Sequence, residues 1–207
     1  MEEKKGKSYA CRNKKENMQR KGDFYPTPKS LVWCAKDLFH SVIPLDAEIT
    51  EPCSGNGMIT KALHDIGYSR VKENDLLNER SGILHEDVLS SSLDEWSGEY
   101  VVTNFPFSIY DGCVFAFLAK KDLKALITIG RLNYLSTQSR LESGVWEHLK
   151  EIWVFSRYVD YRTAERSDGK FNVGAMATGW FYYVKEKVVA PVIRFVDVQD
   201  YAKLGNI

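Results

Sequence analysis

An α/β fold is what this sequence predicts, and three observations predict it. Short apolar runs of strand length alternate with amphipathic helical stretches, the pattern of a mostly parallel sheet with helical crossovers. Glycine-bearing or acidic turns follow the early runs, at the carboxyl ends where open α/β sheets hold ligands. The alternation fails only near the end, where two runs rich in aromatic and β-branched residues succeed one another as an antiparallel hairpin.

The elements follow in order. Thr27 is a suitable N-cap and Pro28 a suitable first helical residue, and Leu31, Ala35, Leu38, Phe39 and Val42 then share one helical face. AEITE (47–51) is the first strand, followed by the turn PCSGNG and a helix with Ile59, Leu63 and Ile66 on one side, stopped by Gly67. SRVKEND (69–75) is a second strand, GILHED (82–87) a third and EYVVTN (99–104) a fourth. A helix over 108–120 precedes a fifth strand, LKALITIG, and a helix over 137–150 precedes a sixth, EIWVFS. MATGWFYYVKEK is the seventh, and VIRFVDV adds an edge strand. With 207 residues, 44% of them hydrophobic, one domain with a real core is expected over 23–207.

Residues 1–22 differ in kind. They hold eight Lys/Arg against three Glu, a net +5, so the remainder of this neutral chain carries −5. A basic arm on an acidic body suits a polyanionic partner and equally suits a solvated flexible terminus. The four cysteines and four histidines are scattered without zinc spacing, so no metal is expected. No apolar run approaches the roughly 20 residues of a membrane helix, and no secretory signal is evident. A cytoplasmic location follows as the expectation, with no membrane partner.

Residues after four strands share one rim: Glu51 to Gly57, Asp75, Asp87, and Asn104 to Phe107. Gly55 and Gly57 let backbone approach a ligand, and the helix behind them favours an anionic group. Neither a third glycine at dinucleotide spacing nor a Gly-Lys-Ser/Thr follows. Asp75 suits a pair of ribose hydroxyls as a bidentate acceptor, and Asp87 an adenine amine. Either aspartate alone reads equally as an N-cap or loop acid; together they outline an adenosine whose attached chain ends at the glycine turn.

In this order, E-P-C-S-G-N-G, Asp75, Asp87 and N-F-P-F resemble the motifs of S-adenosylmethionine-dependent methyltransferases, most closely those that modify the N6 amine of adenine in DNA. D-F-Y-P-T-P (23–28) resembles the cofactor-contacting segment of those enzymes, and its position ahead of the other motifs matches their gamma arrangement. The resemblance covers roughly 23–185. It implies a Rossmann-like methyltransferase fold, a seven-stranded, mostly parallel sheet with helices on both faces. It also implies S-adenosyl-L-methionine as cofactor, held by Tyr25, Thr27, Glu51, Pro52, Gly55, Gly57, Asp75, Asp87, Val88 and Asn104, in the cytoplasm of a prokaryotic cell or a virus-infected one.

The motif has a chemical logic. An exocyclic amine is a poor nucleophile because its lone pair is delocalised into the ring. Acceptors at the Asn104 side chain and the Phe105 backbone carbonyl would favour a pyramidal nitrogen. Pro106 limits that carbonyl's freedom, and Phe107 is expected to stack on a base taken out of its helix. Position 105 departs from the DNA enzymes, which usually carry proline there; ribosomal RNA adenine dimethyltransferases carry a non-proline. DNA is favoured over RNA on the strength of D-F-Y-P-T-P, with cytosine N4, protein glutamine or a silent nucleic-acid-binding fold as further readings. Arg131, Asn133, Arg140, Arg162 and Lys170 are candidate nucleic-acid contacts and equally plausible as solvated loop residues. Few residues follow the seventh strand, so a partner supplying target specificity is a further expectation.

Overall fold

A computed structural model describes residues 25–78, 80–90, 92–159, 161 and 176–198. The basic arm, Arg162 and Lys170 lie outside these residues.

Two short helices open the described chain, α1 (Lys29–Trp33) and α2 (Lys36–Val42), where the sequence suggests one. The helix breaks at Cys34 and Ala35, where the Ala35 N–H takes the Val32 carbonyl in a tighter i to i+3 bond. Thr27 is not the N-cap; Pro28 holds that position without a side-chain cap. Strand β1 (Ile49–Glu51), α3 (Met58–Asp65) and β2 (Val71–Glu73) make the first crossover. Then come α4 (Leu93–Trp96), β3 (Tyr100–Thr103), α5 (Tyr110–Ala119) and β4 (Ala125–Arg131). The chain continues through α6 (Gln138–Glu142), β5 (Leu149–Phe155), β6 (Thr178–Tyr183) and β7 (Val192–Val196).

The seven strands lie in the order β2-β1-β3-β4-β6-β5-β7. All pairs are parallel except those made by β6, which runs antiparallel between β4 and β5. The antiparallel strands are therefore on the C-terminal side, as expected, but β7 does not form a hairpin with β6. It crosses the end of β5 and pairs with that strand in parallel. Its connection is tied down where β5 begins, by the Val184 N–H on the His148 carbonyl and the Val188 N–H on that of Glu147.

GILHED is not a strand. It contributes one bridge, Asn74 to Leu84, because the buried Asn74 side chain takes over the pairing. Its amide donates to the carbonyls of Pro52 and Glu86 at 2.9 and 3.0 Å, and its oxygen accepts the Glu86 N–H at 2.7 Å.

Alternating side chains feed two separate cores, as the two-residue strand period requires. Val102, Ile127, Ile129, Trp180 and Tyr182 pack with α1, α2 and α3. Val101, Leu126, Phe181 and Tyr183 pack with α4 and α5 on the other face. The Trp180 indole donates to the Leu31 carbonyl at 2.6 Å, fixing α1 to the sheet. Chain order reverses beside β1, between β2 and β3, and that switch point is where a ligand crevice forms in such sheets. No described helix is long and apolar enough to cross a membrane.

Candidate active site

A cavity of about 270 Å³ opens at the carboxyl ends of β1, β2 and β3. Its walls come from five segments far apart in sequence: Tyr25 to Thr27, Glu51 to Asn56, Asp75 to Asn78, Asp87 with Val88, and Asn104 to Pro106. Of the expected cofactor residues, only Gly57 stands behind the wall. Among the described residues, no cluster of three or more His, Cys, Asp or Glu could hold a metal.

The turn after β1 needs its glycines. Gly55 has φ 50° and Gly57 φ 75°, both left-handed. A Cβ on Gly57 would also lie 2.5 Å from the Arg80 guanidinium. The turn is clamped from the β2 side. The Gly55 N–H donates to Asp75 Oδ2 at 2.7 Å, while its carbonyl accepts from Asn78 Nδ2 at 2.7 Å and Arg80 Nε at 2.8 Å. Arg80 also reaches Ser54 Oγ at 2.7 Å and pairs with Glu73 at 2.6 Å.

Sequence reading misses Arg80, Asn78 and Asn74. They sit in or beside the polar stretch ENDLLNER, and nothing in its spacing tells which of those side chains turns inward.

Two acids at the turn, Asp75 and Glu51, are more committed than expected. Asp75 Oδ1 takes the N–H groups of Leu77 and Asn78 at 2.9 and 2.8 Å, in addition to the Gly55 bond on Oδ2. A carboxylate offers about four acceptor sites, so room remains for one ribose hydroxyl rather than the bidentate pair. Glu51 is buried, and its Oε2 accepts the Thr60 N–H at 3.0 Å and the Thr60 hydroxyl, capping the first turn of α3. Burial pushes its carboxyl up to about 8; the nearby Glu73 charge adds to this, while the Thr60 bonds oppose it. Asp87 Oδ1 accepts the Leu89 N–H at 3.0 Å, and the buried Val88 gives the cavity an apolar wall.

After β3 the backbone delivers Asn104 to the cavity. Its Nδ2 donates to Thr27 Oγ1 at 3.1 Å and reaches the Tyr25 carbonyl at 3.4 Å. A backbone carbonyl can only accept, which settles the amide's orientation. Asn104 Oδ1 is consequently buried with no hydrogen-bond partner. The Phe105 ring is core, packed 5.7 Å from Phe117 and 6.2 Å from Tyr110, so only its backbone is available to a ligand.

Phe107 corrects the sequence expectation of a free stacking face. Its ring is buried between Tyr25, 5.2 Å away, and the Arg131 guanidinium, 4.1 Å away, with Tyr134 and Tyr161 edge-on. Arg131 leaves its buried Nε without a hydrogen-bond partner. Asn133 is exposed. Arg140 is engaged within the chain, bonded to Asp111 at 2.7 Å and lying over Tyr134 at 3.9 Å.

No protein-family model and no curated protein matches the chain. Solved structures do. The 23S rRNA methyltransferase ErmE superposes with a TM-score of 0.52 at 17% identity, over 81% of this chain and 71% of that one. The M protein of the type I restriction enzyme EcoKI gives 0.54 at 14%, over 84% of this chain and 47% of its own. A Listeria monocytogenes protein assigned to the class I S-adenosylmethionine-dependent methyltransferases gives 0.54 at 12%, over 85% and 66%. This is a methyltransferase fold. The chain spans about half the length of the EcoKI M protein, and at these identities the likeness is one of architecture. Within the methyltransferase fold, the cavity lies at the sheet's switch point, and the Asn-Phe-Pro-Phe turn forms one wall of it.

Proposed function

We propose that this chain transfers a methyl group from S-adenosylmethionine to the exocyclic N6 amine of adenine in DNA. The observation that carries the reading is Asn104 Oδ1, a buried acceptor left empty while its own amide is pinned by Thr27 and Tyr25. An unpartnered buried polar atom costs about 1–3 kcal/mol, and such an exception calls for an explanation. A substrate N–H is the partner it lacks.

The residues present fit the cofactor. The left-handed Gly57 keeps side-chain atoms out of the turn, Asp75 retains an acceptor for a sugar hydroxyl, and Val88 supplies an apolar wall for a purine. When bound, S-adenosylmethionine supplies an electrophilic methyl group on a sulfonium.

The remaining work belongs to the chain. Asn104 Oδ1 accepts one amine N–H and the Phe105 carbonyl the other, so the nitrogen lone pair turns out of the ring plane. Pro106, with its fixed φ, restricts the backbone that presents that carbonyl. The nitrogen would take the methyl in line as the methyl–sulfur bond breaks, the bonding pair staying on the departing neutral thioether, and would give up a proton to solvent. Positioning supplies the acceleration, and no strong base is needed. The base reaches the site by leaving its helix, which costs a few kcal/mol. Phe107 stiffens the wall beneath Tyr25 in place of its expected role as an open stacking face.

DNA is preferred because Tyr25 and Thr27, in the segment resembling the DNA enzymes, are the residues that hold Asn104. RNA is the second reading, favoured by Phe105 at the position of the usual proline. A partner chain that supplies target specificity belongs to the same proposal. The test is incubation with methyl-deuterated S-adenosylmethionine and matched DNA and RNA pools, then nucleoside mass spectrometry. Label in deoxyadenosine is expected. Label in adenosine alone would transfer the proposal to RNA, and no label in either pool would remove it.

A further inference from the structure

The β7 edge of the sheet carries an inference that does not depend on the chemistry above. β7 is the last strand, and its Val192, Ile193 and Phe195 are 47%, 55% and 78% exposed. Natural edge strands are usually blunted by lysine, proline or a bulge. β7 contains none of the three in V-I-R-F-V. Its one charge, Arg194, is turned back onto Glu151 of its own β5 at 3.1 Å.

The direction of the backbone groups follows from one bond. The Val196 carbonyl accepts the Ser156 N–H at 2.9 Å, so Val196 faces β5. Backbone groups alternate along a strand, which turns those of Arg194 and Val192 inward and those of Ile193 and Phe195 outward. No described residue pairs with that outer edge.

We propose that β7 is a dimerisation edge that pairs antiparallel with β7 of a second copy, about a two-fold axis at Arg194. The near-palindromic sequence selects a second copy over an unrelated strand. Val192-Ile193-Arg194-Phe195-Val196 read against itself sets Ile193 opposite the partner copy's phenylalanine and valine opposite valine. Each Ile193 and Phe195 then donates one backbone bond and accepts one across the axis, as a closely spaced antiparallel pair does. An aromatic beside a β-branched residue is among the favourable cross-strand pairs. The two central arginines meet at the axis, where like charges oppose pairing, and the Glu151 carboxylate bonded to each Arg194 at 3.1 Å offsets part of that repulsion.

Sedimentation velocity from low to high micromolar concentration tests the surface. Wild type is expected to dimerise over that range, and Phe195→Lys to remain monomeric with the melting temperature that wild type shows at its lowest, monomeric concentration, since the side chain is mostly in water. Arg194→Cys tests the register. Opposed residues of a non-hydrogen-bonded pair have Cα atoms about 4.5 Å apart, inside the disulfide range of about 4.4–6.8 Å. Mild oxidation of the folded variant should give a covalent dimer. A wild-type protein that stays monomeric throughout, or a dimer indifferent to Phe195→Lys, overturns the proposal. A dimer that Arg194→Cys fails to cross-link overturns the two-fold at Arg194.

Discussion

The Asn104 side-chain amide donates to the Thr27 hydroxyl at 3.1 Å across 77 positions of sequence. This bond joins the turn after β3 to the segment preceding α1 and leaves the Asn104 oxygen without a partner. Asn104→Ala is expected to abolish methyl transfer while cofactor affinity stays within a few-fold, measured by calorimetry with the demethylated cofactor. Thr27→Val keeps the shape but removes the acceptor, so the amide loses one of its two anchors. Single-turnover rates should fall about ten-fold or more, equivalent to about 1.4 kcal/mol of misplaced geometry. Equal loss of binding and rate in Asn104→Ala would make the residue structural.

Arg80 and Gly57 depend on each other. A Cβ at Gly57 would lie 2.5 Å from the guanidinium and would have to adopt a left-handed φ of 75°. Gly57→Ala should therefore displace Arg80 from the Gly55 carbonyl and weaken cofactor binding by at least ten-fold. Arg80→Met should weaken it comparably, because that side chain holds the turn through Gly55, Ser54 and Glu73. Asn78→Ala should cost less, since Arg80 still bonds the same carbonyl. Titration calorimetry orders the three; an Asn78→Ala effect larger than that of Arg80→Met would refute this account of the clamp.

Glu51 makes stability depend on pH in a definite direction. Its carboxyl sits at about 8 in the folded chain, against an ordinary value of 4.5. Between those values the native state keeps a proton that the unfolded state has released. Stability therefore falls as pH rises from about 4.5 to about 8 and this contribution is flat above that. Glu51→Gln removes the ionisation and preserves a Thr60 acceptor. Its stability relative to wild type should climb across that window, read from urea midpoints at several pH values. A difference independent of pH would mean that Glu51 titrates normally.

The sequence makes the sheet and the ligand rim legible because both rest on local signals. Strand-length apolar runs, helical periodicity and glycines at the β1 turn point to the rim along which the cavity lies. Side-chain commitments are less visible. Asp75 and Asp87 are found as rim acids, but the backbone N–H groups they satisfy depend on how their loops close. Thr27 looks like an N-cap because capping is local, whereas its actual partner is Asn104. Phe107 looks like a stacking aromatic, yet its ring is buried, as is that of Phe105, which a single strand-end motif does not reveal. GILHED has a strand's composition but loses its ladder to the Asn74 side chain, a long-range competition outside any window.

Arg131 separates a packing role from a substrate role. Its guanidinium lies 4.1 Å from the Phe107 ring centre, and its Nε–H is buried and unpartnered. An arginine stacked on the last residue of the Asn-Phe-Pro-Phe turn, with its Nε–H unpartnered, is suited to a phosphate oxygen, for which arginine's fixed fork is well matched. Each phosphate contact contributes about 0.9 to the slope of log affinity against log salt on duplex DNA, and about 0.7 on a single strand. Arg131→Met retains much of the contact with Phe107 and removes the charge. Nucleic-acid affinity, followed by fluorescence anisotropy across a salt series, should show a slope shallower by roughly that amount, with cofactor affinity unchanged. An unchanged slope combined with a lower melting temperature would assign Arg131 to packing alone. Arg140, already paired with Asp111, serves as the internal comparison: Arg140→Met should lower stability and leave the salt slope where it was.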